Sequence, residues 1–137
     1  VNTESLIVLN VTFQANPTKD RSVQPITTKL INSIYKKAWE NDPEHLLIYS
    51  EEQNVSSDLI GVNAAIVIEG QFNHTRTAFI NIDLSNIPDL PDAIKNTVNS
   101  LKIPVVHAKI FGWYDNEYGS YTNRMADLTV YIHRNIS

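Results

Sequence analysis

A chain of 137 residues can form one domain with a real core and is too short for two ordinary ones. Its apolar fraction of 42% and charged fraction of 19% exclude a disordered or fibrous protein. A net charge of −4 and a pI near 5.5 argue against a nucleic-acid surface, because the lysines are dispersed at Lys29, Lys36, Lys37, Lys95, Lys102 and Lys109 rather than clustered. No stretch approaches the apolar run that a membrane-spanning helix requires. The chain has no cysteine, which removes disulfides and thiolate metal sites and fits a cytoplasmic protein. The N-terminus, Val1-Asn2-Thr3-Glu4, has no initiating Met, basic region or cleavage pattern. It reads as a segment cut from something longer.

Leu6 to Phe13 predicts a strand whose apolar face is Ile7, Leu9, Val11 and Phe13. Asn16-Pro17-Thr18-Lys19-Asp20 predicts a turn. From about Val23 to Asn41, Ile26, Leu30, Ile31, Ile34, Tyr35 and Ala38 recur at helical spacing, with Ser22 as N-cap and Pro25 in the first turn. Asn41-Asp42-Pro43 ends that helix. Leu46 to Tyr49, Val62 to Ile68 and Thr77 to Asp83 predict three further strands. An irregular connection at Ile87 to Pro91 leads into a helix from Pro91 to about Leu101. Val105 to Phe111 is a clear strand, and a last helix spans about Glu117 to Ile136. The order β-α-β-β-β-α-β-α predicts an α+β fold, a mainly antiparallel or mixed sheet with helices packed on one face. The strand Leu6 to Phe13 is apolar on both faces near Leu6 and Val8, which predicts an exposed patch and self-association.

Most candidate chemistry dissolves on inspection. His45, His74, His107 and His133 show no metal-ligand spacing. Ser56-Ser57-Asp58 lacks the strand-elbow-helix frame of a nucleophile. Gly61, Gly70, Gly112 and Gly119 are too far apart for a phosphate loop. The N-x-Ser/Thr matches at Asn10, Asn54, Asn73 and Asn135 are chance in a chain rich in these residues.

One stretch does not dissolve: Gly112-Trp113-Tyr114-Asp115-Asn116-Glu117-Tyr118-Gly119, with Asn123-Arg124 close behind. Asn116 before a helical run suits an N-cap, and its amide also supplies a donor and an acceptor side by side. Tyr114 and Tyr118 suit packing between strand and helix or the wall of a pocket. Trp113 reads as core, and Asp115 and Glu117 as partners of a helix dipole. Arg124 reads as the partner of a nearby acid.

This stretch resembles the Trp-Tyr-Asp-Asn-Glu-(aromatic)-Gly signature of phosphorylating glyceraldehyde-3-phosphate dehydrogenases. Two other segments resemble the same family in the same order. Val1-Asn2-Thr3, running into Leu9 to Phe13, is similar to its Val-Pro-Thr segment, with Asn2 in place of proline. Tyr49-Ser50-Glu51-Glu52, Val55-Ser56-Ser57-Asp58 and Ile60-Gly61 are similar to its Tyr-Thr-Glu…Val-Ser-Ser-Asp-Phe region. Two departures mark a divergent branch. Residues at about 71–103 form a connection longer than the family's by roughly two dozen residues, and Gly119 to Asn123 is slightly longer than the usual Gly-Tyr-Ser-Asn.

The resemblance implies the C-terminal portion of a catalytic domain. The parent would convert glyceraldehyde 3-phosphate to 1,3-bisphosphoglycerate through a cysteine thioester, with NAD or NADP taking the hydride. The nucleophilic Cys, its activating His and the nucleotide-binding half would all lie before Val1, so the chain alone would be inactive. Asn116 would bond the nicotinamide carboxamide, with Tyr114 and Tyr118 lining that end of the pocket, and no metal would be involved. The implied partners are the missing nucleotide-binding half and further copies packed through the sheet face, with neither nucleic acid nor membrane among them. An erythrose-4-phosphate dehydrogenase shares the signature, and a non-catalytic interaction or assembly domain of the same fold is the rival from another class.

Overall fold

The computed structural model describes residues 4–15, 26–95 and 97–136. Its axis is a single strand. The elements in chain order are β1 (Glu4–Gln14), α1 (Thr28–Glu40), β2 (Leu47–Ser50), β3 (Ile66–Glu69), β4 (His74–Asp83), α2 (Asp92–Lys95), β5 (Ser100–Asp115) and α3 (Ser120–Asn135). Short 3-10 turns stand at Ser56–Asp58 and Leu84–Asn86. The predicted α+β class and element order hold. The sheet is mixed: β2 and β3 are parallel, while β1, β3 and β4 all run antiparallel to β5.

β5 is occupied on both edges. One edge carries β1, from Glu4↔Asp115 to Gln14↔Val105. The other carries β4 along Ser100 to Lys109 and β3 at Gly112 and Trp113. Pro104 is tolerated inside this strand because of where it falls. Its carbonyl accepts from Ala15 N at 2.9 Å, so its nitrogen faces the same edge, one residue beyond the β1 ladder, where no donor is needed. Between the end of β3 and the start of β4 the ladder has a gap, and Asn73 fills it. Its Oδ1 accepts from Phe111 N at 2.9 Å and its Nδ2 donates to Asn32 Oδ1 at 3.0 Å. Asn32 Nδ2 in turn donates to the Gly70 carbonyl at 2.8 Å, tying α1 to the sheet.

The core lies between α1 and one face of the sheet, where Ile31, Tyr49, Ile68, Ala108 and Ile110 are buried together. Phe13, Ile26, Tyr35, Leu47 and Ile66 pack around them. α3 docks by its first turn, with only Ser120 buried, while Arg124 reaches the Glu44 carbonyl (2.8 Å), Asn63 Oδ1 (2.6 Å) and Asp127 (3.1 Å).

Several boundaries differ from the sequence reading. Ser22, Pro25 and the turn at 16–20 lie outside the described residues, as do Val1 to Thr3. Ile26 and Thr27 are not helical, so α1 does not run back to Val23. It begins at Thr28, where the Thr27 side chain accepts from Leu30 N at 3.1 Å and supplies the cap. The predicted helix from Pro91 to Leu101 is a single turn, and Ser100 and Leu101 already pair with Asp83 and Ile82. Ile94, Val98 and Leu101 are all exposed, so a helical stripe had nothing to bury against and strand pairing won. β3 starts at Ile66 rather than Val62, because Val62 N and O serve a turn and α3 instead. Finally, α1 does not cover the whole predicted core face of β1. Val11 and Phe13 are partly covered, whereas Ile7 and Leu9 remain 45% and 49% exposed.

The Asn73 bridge gives a direct test. Asn73→Ala leaves the Phe111 N–H and the Asn32 amide without their partners. It should destabilise the fold by about 1–3 kcal/mol, read as a lower urea midpoint with an unchanged slope. A midpoint equal to wild type would mean that water or a backbone shift replaces the bridge.

Candidate functional site

The signature segment begins as the end of β5 and is clamped where it leaves the sheet. Asp115 is 1% exposed and its carboxylate accepts three backbone N–H groups. Oδ1 takes Glu117 N at 2.7 Å and Tyr118 N at 3.0 Å; Oδ2 takes Gly61 N at 2.7 Å. The first two bonds form an Asx-type turn through Asn116 and Glu117. The third fastens that turn to the loop before β3. Ser120 adds a second fastening: its Oγ accepts from Asp115 N at 2.8 Å and its N–H donates to the Val62 carbonyl at 3.0 Å. Ser120 takes a left-handed backbone, φ 49°, at a cost of about 1 kcal/mol that these two bonds offset. Between them, Gly119 passes so close to the other loop that a Cβ there would stand 2.5 Å from the Val62 carbonyl oxygen. Only glycine fits that approach.

Asn116 is held at the crest of this turn. Its Nδ2 donates to Ser5 Oγ at 2.9 Å, and its carbonyl accepts from the Tyr121 hydroxyl at 3.3 Å. Tyr114 and Tyr121 rings lie 6.2 Å apart at 50°, a tilted aromatic contact. Tyr118 projects outward, 66% exposed. The fold therefore brings Tyr114, Asn116 and Tyr118 to one end of β5, together with Ser5 and Tyr121, which the sequence reading had not singled out.

The structure corrects two structural roles. The N-cap of α3 is Gly119, with no side-chain cap bond, so Asn116 does not cap the helix. Asp115 precedes α3 and bonds the N–H groups of Gly61, Glu117 and Tyr118, none of them in the helix. Asp115 is instead the clamp of the loop. An Asx turn was legible in Asp-Asn-Glu-Tyr, but the bond to Gly61 was not, because Gly61 lies 54 positions away. Arg124 does pair with an acid, Asp127. Among the described residues, no group of His, Asp or Glu could hold a metal ion, and no helix is long and apolar enough to cross a membrane.

No protein-family model matches the chain. Curated relatives do. It is 33% identical over 109 residues to glyceraldehyde-3-phosphate dehydrogenase 1 of Bacillus subtilis, covering 80% of this chain and 24% of the relative. It is 34% identical over 107 residues to the glyceraldehyde-3-phosphate dehydrogenase of Priestia megaterium, covering 78% and 24%. The match to the Streptomyces coelicolor enzyme of the same name is 29% identical over 133 residues, covering 96% of this chain and 29% of the relative. The chain is homologous to the glyceraldehyde-3-phosphate dehydrogenases. It spans less than a third of the length of the curated relatives it matches.

Two carboxylates face each other at this end of the sheet, and they titrate in opposite directions. Burial pushes the Asp115 carboxyl up, but the N–H donors of Gly61, Glu117 and Tyr118 outweigh it and hold it below the usual value. Its cross-strand neighbour Glu4 is raised, first by burial and then by the Asp115 charge. A carboxylate lowered in the folded state contributes stability that is fully present above its unfolded value, about 3.9, and is lost as pH falls through the folded value. Asp115→Asn should therefore unfold roughly 1–3 kcal/mol more easily at pH 7. It should also lose less stability than wild type as pH falls below about 4. Glu4 has the opposite sign: its contribution grows as pH falls through its raised value toward about 4.3 and is complete below that, so Glu4→Gln should lose stability more steeply than wild type within that window. Urea midpoints measured across this pH range check both. Parallel acid limbs in wild type and Asp115→Asn would mean that the three donors do not favour the ionised form.

Proposed function

We propose that this chain is the C-terminal portion of the catalytic domain of an NAD- or NADP-dependent phosphorylating aldehyde dehydrogenase acting on glyceraldehyde 3-phosphate in the cytoplasm. The observation that carries the reading is the state of Asn116. It lies at the centre of the signature shared with the family, it is relieved of capping by Gly119, and its turn is fixed by four hydrogen bonds to Asp115. Such rigidity has no use for capping and is what positioning of a ligand requires. One N–H of the Asn116 amide is engaged by Ser5, which sets the amide's orientation. The residues fit a nicotinamide: an amide fork for the carboxamide, and the faces of Tyr114 and Tyr118 beside it to limit water. When bound, that cofactor supplies the acceptor for the hydride. This chain's part is to orient the ring, and the thiolate and its base belong to the rest of the parent.

Two exposed apolar surfaces support the expected partners. α3 leaves Tyr121, Met125, Leu128 and Ile132 open on one side, spaced as a stripe that suits docking to the missing nucleotide-binding half. Leu6, Val8, Phe111 and Trp113 gather at the β5 C-terminal end of the sheet face turned away from α1, and would be covered by a second copy. The connection at about 71–103, which contributes β4, α2 and the start of β5, is an elaboration that meets β5 at Phe111 through Asn73 and from β4 onward runs away from the site. Ser100 and Asp115 stand at opposite ends of one strand, on the order of 50 Å apart.

Two measurements test the reading. The chain alone should reduce neither NAD nor NADP with glyceraldehyde 3-phosphate and phosphate, because a thioester needs a thiolate. Turnover above background would overturn it. In the full-length parent, Asn116→Asp keeps size but replaces the amide donor by a second acceptor. Turnover should fall tenfold or more, on the scale of about 1–3 kcal/mol for a misplaced polar group, with thermal stability near wild type. Unchanged turnover would remove the orienting role.

A further inference from the structure

The face of the sheet turned away from α1 carries a second feature that owes nothing to the signature segment. Residues opposite each other in an antiparallel pair share a face. The register sets His74 opposite Lys109 and Arg76 opposite His107 across β4 and β5, then Lys109 opposite Asn10 and His107 opposite Thr12 across β5 and β1. Two side-chain contacts fix the side on which they stand. Thr12 Oγ1 and His107 Nδ1 are 3.1 Å apart, and the His74 ring lies 6.0 Å from Phe111. Arg76, His74, Lys109 and His107 thus form a two-by-two block of about 5 by 7 Å, from strand spacing and a two-residue step, with Asn10 and Thr12 along one side.

Three properties of the block point to a ligand. Among the described residues neither Arg76 nor Lys109 is in an ion pair; the pairs there are Lys36–Glu51 and Arg124–Asp127. The two cations, Arg76 and Lys109, stand diagonally across one ladder, close enough to meet one small anion. No acid shares these rows. The next row on one side is Gln14, Val105 and Ala78, and on the other Val8 and Phe111. In a chain of net charge −4, such an island works against the overall field and draws an anion locally. His74 Nδ1 donates to the Phe72 carbonyl at 3.1 Å, because that oxygen can only accept. Nε2 is thereby left as the nitrogen that becomes a second donor on protonation.

We infer that this block is a binding site for a compact phosphate-type oxyanion, held by the Arg76 guanidinium and the Lys109 ammonium with His74, His107, Thr12 and Asn10 as further donors. Arginine's planar fork matches two oxygens of such an anion, and lysine supplies the point charge. The bounded outline fits one phosphate or diphosphate rather than a polymer, whose track would need cations in the rows on either side. The site is independent of the cofactor reading, since it stands on the middle of β5 and uses none of the residues around Asn116. The block adjoins the apolar row of Val8 and Phe111 on the same face.

Titration calorimetry of the whole chain with inorganic phosphate and with pyrophosphate, chloride balancing the ionic strength, tests the inference. Both should give saturable binding, with pyrophosphate the tighter. Arg76→Gln and Lys109→Gln should each weaken it about tenfold or more. Lys102→Gln, paired with Asn81 on the opposite face, should leave it unchanged. Circular dichroism melting confirms that each variant is folded. Equal weakening by Lys102→Gln, or heats no larger than with chloride, would overturn the site. Tighter binding of a short single-stranded oligonucleotide than of pyrophosphate, falling steeply with salt, would overturn the compact anion in favour of a polymer.

Discussion

Every interior N–H and C=O of a strand flanked on both edges must find a partner out of water, and in this protein that demand falls on β5. Its sixteen residues run past the ends of all its neighbours, so each neighbour covers one part of it. β1 takes one edge from Val105 onward, β4 and β3 divide the other, and the Asn73 side chain bonds Phe111 where the two leave a gap. A buried, unpaired N–H costs more than a made bond returns. The Asn73–Asn32–Gly70 relay therefore links helix, turn and central strand through one obligation.

The same strand carries the proposed function, because the signature turn is its continuation. Where backbone pairing stops at Asp115, side-chain bonding starts. The carboxylate replaces the lost ladder with three N–H donors and Ser120 supplies a fourth bond to the same residue. A loop built this way has little freedom at Asn116, although Asn116 itself is only half-buried. Rigid support under an accessible polar side chain is the arrangement a ligand-orienting residue needs. Glu4 stands opposite Asp115 and is raised, first by burial and then by the Asp115 charge, so the clamp has a second carboxyl beside it.

The outer surfaces are less complete than the interior. Ile7 and Leu9 on β1, Leu30 and Ile34 on α1, and Met125 and Leu128 on α3 are all exposed, though each belongs to a stripe that reads as core in the sequence. Burial drives the choice of apolar residues at such positions, so their exposure marks surfaces that suit further protein. The basic block on the far face differs in kind: it is polar, bounded and facing solvent.

The sequence by itself determined the order and type of the elements, because hydrophobic period and turn residues act over a few positions. It also made Asn116, Tyr114 and Tyr118 recognisable as parts of one signature, since they are neighbours in the chain. It could not decide what those residues do locally. Whether Asn116 caps a helix depended on where β5 stopped, and that depended on Asp115 reaching Gly61 and Ser120 reaching Val62. The stretch from Pro91 to Leu101 had helical spacing, yet Ser100 and Leu101 went to β4, whose pairing rewarded them where a helix face had nothing to bury against. Thr27 took the cap of α1 because its hydroxyl meets Leu30 N. Lysines and histidines that look scattered between Thr12 and Lys109 become one block only through strand register, which is fixed by pairing between distant segments. Local chemistry is written in neighbours, whereas caps, ends of strands and clusters across a sheet are decided by contacts that only the folded chain makes.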